Sequence, residues 1–233
     1  MKTLRQILYN MVHPKIGAIW QLHRVSDEVS ENEEMRRYEI TPKKLTDLIE
    51  AALHKEYHFI SVDQYFAMMQ KERYDKKFIV VTLDDGYADN CEIAYPIFKK
   101  YNIPFCIFVT KNYVQQGQKP YRYLTLEQIQ KLNNEPLCTF GSHTISHPSL
   151  HTLTQEDMLE EIQTCKEWLE QVTQKPMDYF AYPYGSYNSE TIDVVRHLNI
   201  KMAFAAWGGE IRKGKTVDHY RVPRVLITQS SII

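Results

Sequence analysis

The sequence predicts an α/β fold with a parallel β-sheet, most simply a (β/α) barrel of about seven or eight units. Apolar runs alternate with helical patterns along the chain. One run, FIVVTL at residues 78–83, is continuous and β-branched, as in strands that are buried on both faces. The number of repeats suits a barrel better than a short open sheet, and we expect residues 1–233 to form a single domain.

Each predicted element rests on a local signal. The first helix begins with Thr41 as a cap and Pro42 at the first helical position, followed by apolar residues at helical spacing. The predicted strands are residues 17–22, 59–62, 78–83, 104–110, 137–141, 178–182, 202–207 and 225–228. The predicted helices are residues 41–56, 61–70, 89–101, 125–132, 154–172 and 188–198, and the charged run 28–37 is predicted to be a solvated loop.

The composition excludes several classes of protein. Lys and Arg number 28 against 29 Asp and Glu, so the chain has no excess of positive charge for binding nucleic acid or an anionic membrane. The 4 cysteines form no CxxC pair, which favours buried thiols over a disulfide framework. Residues 1–20 contain no readable secretory signal, and no window approaches the roughly 18 apolar residues of a transmembrane segment. We therefore expect a cytoplasmic or membrane-peripheral location.

Polar residues collect where the predicted strands end. Asp84 and Asp85 end one strand, and His143 and His147 follow another. The carboxyl ends of parallel strands face one mouth of a barrel, which is the first place to look for chemistry. Two histidines four residues apart can reach one ion if the segment is a helical turn, and one carboxylate would complete a common Zn²⁺ site. The other aspartate would then be a natural general base.

Two simpler interpretations stand beside this one. A DDG triplet after a strand is also typical of a turn in which aspartate caps the next helix and glycine supplies a positive φ. An HxxxH pair also occurs where both histidines are structural. His151 repeats the spacing and is interpreted as a loop or capping residue.

Together these segments resemble a known family. TLDDGYADN, HTISHP and YFAYPYG are similar, in that order, to the TFDDG, H(S/T)xxHP and RxPYG patterns of polysaccharide deacetylases, the NodB-homology domains of carbohydrate esterase family four. The resemblance implies a distorted, NodB-like (β/α) barrel forming one polysaccharide deacetylase domain. It implies that Asp84 is the catalytic base and that Asp85, His143 and His147 bind a divalent metal, usually Zn²⁺.

The sequence departs from the family pattern in two places. The family's usual general acid is a histidine in a late LxH motif, but no histidine follows Arg221. In the circularly permuted poly-β-1,6-N-acetylglucosamine deacetylases this histidine lies early, in a YHxV-like context, and LHRV places His23 there. The family's arginine that orients the base is replaced by Ala181, so Arg221 or Arg224 is expected to supply the guanidinium from another strand.

Aromatic residues near the third motif are candidates for binding the sugar. Aromatic faces suit the apolar side of a sugar ring, and Pro and Gly fix a loop, although the same residues would also suit a packed barrel rim. Trp207 lies near the position of a family tryptophan that lines the acetyl pocket. The predicted substrate-binding residues are therefore Tyr182, Pro183, Tyr184, Gly185 and Trp207.

The resemblance implies a metal-dependent hydrolase that removes acetyl groups from an N-acetylated amino sugar, in a polysaccharide or a lipid-linked precursor, and releases acetate. Three alternatives remain: an esterase for O-acetylated sugars, a non-catalytic carbohydrate-binding relative, and a metal-free α/β protein. The expected partner is a carbohydrate, with no nucleic acid and no transmembrane segment.

Overall fold

A closed barrel of parallel strands forms the centre of the molecule. The computed structural model describes residues 3, 9–27, 30, 32–116 and 121–233. The strands are β1 Lys15–Leu22, β2 Arg24–Val25, β3 Glu39–Ile40, β4 His58–Phe59, β5 Phe78–Leu83, β6 Phe105–Val109, β7 Cys138–Ser142, β8 Tyr179–Ala181, β9 Met202–Gly208, β10 Ile211–Arg212 and β11 Val222–Leu226. The barrel order is β1-β11-β9-β8-β7-β6-β5, and β5 pairs with β1 to close it.

Helices cover the outside of the barrel. They are α1 Glu33–Arg36, α2 Pro42–His54, α3 Val62–Gln70, α4 Tyr95–Lys100, α5 Lys111–Gln116, α6 Leu126–Asn133, α7 Gln155–Thr173 and α8 Ser189–His197. Thr41 caps α2, as expected, and capping boxes start α3, α6 and α8. Among the described residues, no helix is both long enough and apolar enough to cross a bilayer.

Strand alternation divides the core into two layers. In β5, Phe78 and Val80 belong to a cluster with side chains from the other barrel strands, whereas Ile79 and Val81 pack in a cluster that includes α2, α4 and α6. The same alternation carries Thr82 and then Asp84 to the inner face. The barrel interior is therefore apolar at one end and becomes polar at the carboxyl ends of the strands.

The fold confirms the predicted parallel barrel, with local corrections. The second predicted strand ends at Phe59 because Ser61 caps α3. The predicted helix 89–101 begins as a π-helical turn, Asn90–Ala94, and the last strand is β11 rather than residues 225–228. The predicted loop 28–37 contains α1, although residues 28, 29 and 31 lie outside the described part, as do residues 1, 2 and 4–8 of the amino terminus. The buried cysteines are all unpaired.

The short strands β2 and β3 form a small separate sheet beside the barrel mouth. β2 and β3 pair with each other, and Arg24 links them to the segment after β5. Its Nη1 lies 2.5 Å from a Glu39 carboxylate oxygen, and its Nε donates to Asp89 at 3.2 Å. Asp89 also accepts from the Val25 backbone N–H at 3.2 Å. Burial nevertheless outweighs these bonds and raises the pKa of Asp89 to about 6.

Replacing Gly141 by Ala is expected to destabilise the barrel by roughly 2–3 kcal/mol, since overpacked cores lose stability on this scale. An added Cβ would lie 2.5 Å from the Phe108 ring and 2.8 Å from the Tyr179 carbonyl oxygen. Gly209→Ala is the control, because its Cβ meets nothing within 4 Å and only its φ of +78° opposes the change. The control should lose about 1 kcal/mol. Equal losses in urea unfolding would contradict the packing argument.

The pKa of Asp89 also predicts a pH dependence of stability. Between pH 3.8, the ordinary pKa, and about 6, folded Asp89 keeps a proton that unfolded Asp89 releases. The stability contributed by this proton is present at low pH and is lost as the pH rises through about 6. Relative to Asp89→Asn, the wild-type free energy of unfolding should therefore fall by on the order of 1–3 kcal/mol across this window. A pH-independent difference between the two proteins would refute the assignment.

Candidate active site

Asp84 lies at the end of β5 and is held by side chains from two other strands. Arg224 of β11 donates from Nη1 to Oδ1 at 2.7 Å and from Nη2 to Oδ2 at 2.8 Å. Gln21 of β1 donates to Oδ2 at 2.8 Å. Arg224 also donates through Nε to the Ala205 carbonyl and through Nη1 to Thr82. The guanidinium is thus fixed in a buried fork that fits one carboxylate.

These neighbours keep Asp84 ionised. Burial by itself raises the pKa of Asp84, but the positive charge of Arg224, the His143 and His23 imidazoles and the Arg224 hydrogen bonds outweigh it. The pKa of Asp84 is therefore held well below its usual range. The carboxylate is a fixed negative charge that can accept a further hydrogen bond or a proton.

Asp85 is the next residue in the chain, but its surroundings differ from those of Asp84. The Nε2 atoms of His143 and His147 lie 3.5 and 3.3 Å from its Oδ1. These three ligand atoms are all within 4.8 Å of one another. Oδ1 is buried and accepts no hydrogen bond from the described protein groups. Its backbone φ of +72° makes the bend by which two adjacent carboxylates border the same space.

The two histidines present their Nε2 atoms for a structural reason. Nδ1 of His143 lies 2.7 Å from the Ala181 carbonyl oxygen, so Nδ1 carries the proton and Nε2 keeps its lone pair. Burial lowers the pKa of His143 to about 4, which leaves the imidazole neutral near pH 7. Neutral imidazole is the form that binds a metal ion.

The segment between the histidines is an irregular loop and not the helical turn considered from the spacing. Thr144 and His147 both have positive φ, +70° and +61°. The Thr144 side chain accepts from the His147 N–H at 3.0 Å. Glu161 of α7 accepts from the backbone N–H groups of Ile145 and Ser146, each at 2.9 Å. The loop is therefore held from within and from the helix behind it.

His23 lies across the carboxylate from Arg224. Its Nε2 is 4.0 Å from Asp84 Oδ2, and its ring packs on Tyr38 with centroids 4.6 Å apart. Burial lowers the pKa of His23 below its ordinary value, against the attraction of Asp84 and Asp85. The structure thus brings six predicted site residues together: His23, Asp84, Asp85, His143, His147 and Arg224.

Several other predicted residues lie elsewhere. Arg221 is on the surface, where its Nε is 3.6 Å from Asp218. Of the two candidate arginines, Arg224 is therefore the one whose guanidinium lies beside Asp84. Tyr182 is buried against the helices, and its hydroxyl donates to the Tyr220 carbonyl. Pro183 is also buried. Tyr182 and Pro183 therefore present no exposed face to a sugar, because the alternation of β8 turns Tyr182 outward from the barrel, and their role in sugar binding stays a prediction.

Two aromatic side chains of the predicted set do face solvent at the rim. Tyr184 is 61% exposed and packs edge-on against His147, with ring centroids 4.6 Å apart. Trp207 is 67% exposed. Gly185 lies between them with φ +64°, and a Cβ there would be 2.9 Å from Trp207 Nε1. These residues form an exposed aromatic rim next to the histidines.

The sequence interpretation missed the residues that hold the site from behind. Gln21 and Glu161 lack any motif of their own, although Gln21 lies near the end of β1, two residues before His23. Asp89 and Asn90 are within the quoted segment TLDDGYADN but received no role. Their contacts are long-range in sequence and become visible only in the folded chain.

Comparisons with known proteins agree with this geometry. The family model for polysaccharide deacetylases matches residues 71–203. The Bacillus subtilis protein named "Putative polysaccharide deacetylase YxkH" is 28% identical over 161 residues, which are 69% of this chain and 55% of that protein. This chain therefore spans little more than half the length of that relative. Poly-beta-1,6-N-acetyl-D-glucosamine N-deacetylase from Staphylococcus epidermidis is 23% identical over 217 residues, which are 87% of this chain and 73% of that protein.

Solved structures show the same fold at low sequence identity. IcaB from Ammonifex degensii superposes with a TM-score of 0.81 at 24% identity, covering 92% of each chain. The Streptococcus pyogenes deacetylase PplD, solved in complex with acetate, superposes with a TM-score of 0.79 at 22% identity, covering 94% of each chain. Since the family model matches more than half of the sequence, this chain belongs to the polysaccharide deacetylase family.

Proposed function

We propose that this chain, acting as one deacetylase domain, is a metal-dependent N-deacetylase that hydrolyses the acetamido group of an N-acetylated amino sugar in a polysaccharide. The observation that carries the proposal is the pair of adjacent carboxylates. Asp84 is held by hydrogen bonds from Arg224 and Gln21, whereas Asp85 Oδ1 faces two imidazole nitrogens without a donor. The name of the staphylococcal relative supports N-acetylglucosamine as the sugar.

The residues around Asp85 fit a divalent cation, and Zn²⁺ best of all. Asp85, His143 and His147 would hold it, because one carboxylate and two neutral imidazoles form a common Zn²⁺ ligand set with open positions. The buried, donor-free Oδ1 of Asp85 supports this, since such an atom is costly unless a cation faces it. When bound, the ion would polarise the acetyl carbonyl and lower the pKa of a coordinated water.

Asp84 is proposed to be the general base. Its Oδ2 accepts a proton as water attacks the carbonyl carbon of the acetamido group. The Arg224 fork and Gln21 fix the carboxylate, so little orientation is lost in the transition state. The low pKa of Asp84 means that it is ionised before each turnover and returns its proton readily.

His23 is proposed to be the general acid. Its Nε2 donates a proton to the nitrogen of the sugar as the carbon–nitrogen bond breaks, which releases acetate and a free amine. Its lowered pKa makes the imidazolium a stronger acid than the free group. The proton on Asp84 Oδ2 then returns to His23 Nε2 through a water molecule, because the 4.0 Å between the two atoms is beyond hydrogen-bond distance, and both residues are restored.

The exposed rim is proposed to bind the polysaccharide. Tyr184 and Trp207 offer ring faces to the apolar side of a sugar, next to His147. The names of the relatives support a polysaccharide as the substrate.

Metal binding is the first test of the site. After loading with Zn²⁺ and dialysis, we expect about one ion per chain, because the described part of the chain contains one candidate three-residue ligand set. His147→Ala should weaken binding at least tenfold in competition with a chromophoric chelator, since losing a ligand should cost at least as much as losing a residue that supports one. The matched control is His151→Ala, whose side chain contacts Ser149 and Ser186 outside the ligand set. Equal affinity in the two variants would rule out the site.

Acetate release tests the role of Asp84. Asp84→Asn keeps the size of the side chain but removes the base, so kcat on β-1,6-linked N-acetylglucosamine oligomers should fall by about 10²- to 10⁴-fold while Zn²⁺ stays bound. Undiminished turnover would exclude Asp84 as the base. Acetate from O-acetylated xylan alone would identify an esterase. Zn²⁺ binding without acetate from either substrate would identify a non-catalytic relative, and absence of Zn²⁺ binding would identify a metal-free protein.

A further inference from the structure

His23 depends on its backbone for its orientation. Its Nδ1 is buried, and none of the described protein groups hydrogen-bonds to it. Its Nε2, at 4.0 Å from Asp84 Oδ2, is beyond hydrogen-bond distance. Histidines that transfer protons are commonly oriented by a partner on the second ring nitrogen. In this protein the orientation of the ring must come from the main chain and from packing on Tyr38.

The main chain around His23 is bonded to the segment that follows the two aspartates. Asn90 Nδ2 donates to the His23 carbonyl oxygen at 2.8 Å. Asp89 Oδ1 accepts from the Val25 N–H at 3.2 Å, and the Asp84 N–H donates to the Leu22 carbonyl at 2.9 Å. The backbone is therefore tied before, at and after His23 by one short segment.

The burial of Asn90 is not explained by packing alone. The residue is fully buried, and its Oδ1 accepts no hydrogen bond from the described groups. An apolar residue would avoid that unpaired acceptor. Asn90 also begins the π-helical turn Asn90–Ala94, and such turns occur often at functional sites. The buried amide provides two contacts through Nδ2. It donates to the His23 carbonyl oxygen, and it donates to Asp89 Oδ1 at 3.0 Å.

We propose that Asn90 is a positioning residue for His23: it holds the His23 carbonyl so that the imidazole stays beside the Asp84 carboxylate. This inference rests on the proposed role of His23 as general acid. Asp89 assists by binding Val25 and by pairing with Arg24, whose other partner, Glu39, follows Tyr38 in the chain. Asn90 thus holds the backbone of His23, and Arg24 holds the backbone beside Tyr38, on whose ring His23 packs.

The experiment uses two substrates that differ in their need for an acid. An amine leaving from an N-acetylated sugar must be protonated, whereas the phenolate leaving from 4-nitrophenyl acetate needs no proton. His23→Ala should therefore lower kcat for the sugar oligomer by about 10²-fold or more and change ester hydrolysis little. Asn90→Ala should show the same selectivity with a smaller loss, about 10- to 100-fold in kcat, at unchanged KM.

The matched control is Asn133→Ala. Asn133 Nδ2 donates to the Thr173 carbonyl at 2.8 Å, the same type of contact far from the site in sequence. We expect this variant to hydrolyse both substrates as the wild type does. The double variant His23→Ala/Asn90→Ala should be no slower than His23→Ala, because a residue that acts through His23 loses its effect when His23 is absent.

An unchanged ratio of amide to ester hydrolysis in Asn90→Ala, or additive losses in the double variant, would overturn the proposal. If Asn90→Ala does not fold, Asn90→Ser is used in its place, since its shorter side chain does not reach the His23 carbonyl.

Labelled-histidine NMR provides a readout without turnover. A shifted His23 ring resonance in the Asn90 variant, but not in Asn133→Ala, supports positioning. This result holds even if the wild type releases no acetate. Absence of acetate release would refute the proposed function but not the positioning role. An unshifted resonance overturns the positioning role.

Discussion

The buried ion pair between Asp84 and Arg224 is the contact on which the rest of the site depends. Arg224 is on the last barrel strand and Asp84 follows β5, so the pair joins the two strands that flank β1. Removing one partner would leave the other charged and buried, which typically costs about 3–5 kcal/mol. The same contact fixes the carboxylate toward which His23 is directed. The geometry of the candidate site therefore depends on the pairing of β1 with both β5 and β11.

Surroundings distinguish the two aspartates more than their positions in the chain do. Asp84 is paired with a cation and an amide, which keeps the free carboxyl ionised and already oriented. Asp85 lies past the bend and faces nitrogen lone pairs. Two carboxylates on consecutive residues can thus take different roles, because the protein supplies donors to both oxygens of Asp84 and leaves Oδ1 of Asp85 facing imidazole nitrogens.

The sequence predicts the barrel well because strand runs and helix caps are local signals. Two elements illustrate this. The helix α2 begins after its cap Thr41, and the apolar run at residues 78–83 forms the buried strand β5. The choice between Arg221 and Arg224 was left open because the predicted last strand started too late. With β11 starting at Val222, which packs inside the barrel, alternation directs Arg224 inward, and Arg221 precedes the strand. Contacts such as Asn90 with His23 join segments 67 residues apart, and no local pattern encodes them.

The positive φ angles of Asp85, Thr144 and His147 have a consequence for the history of this fold. Non-glycine residues rarely adopt this conformation, so each of these positions carries a conformational cost that the surrounding bonds must offset. A glycine or asparagine there would relieve part of that cost. Selection for stability alone would therefore erode the ligand set, and a lineage released from its substrate should lose these side chains while its barrel persists.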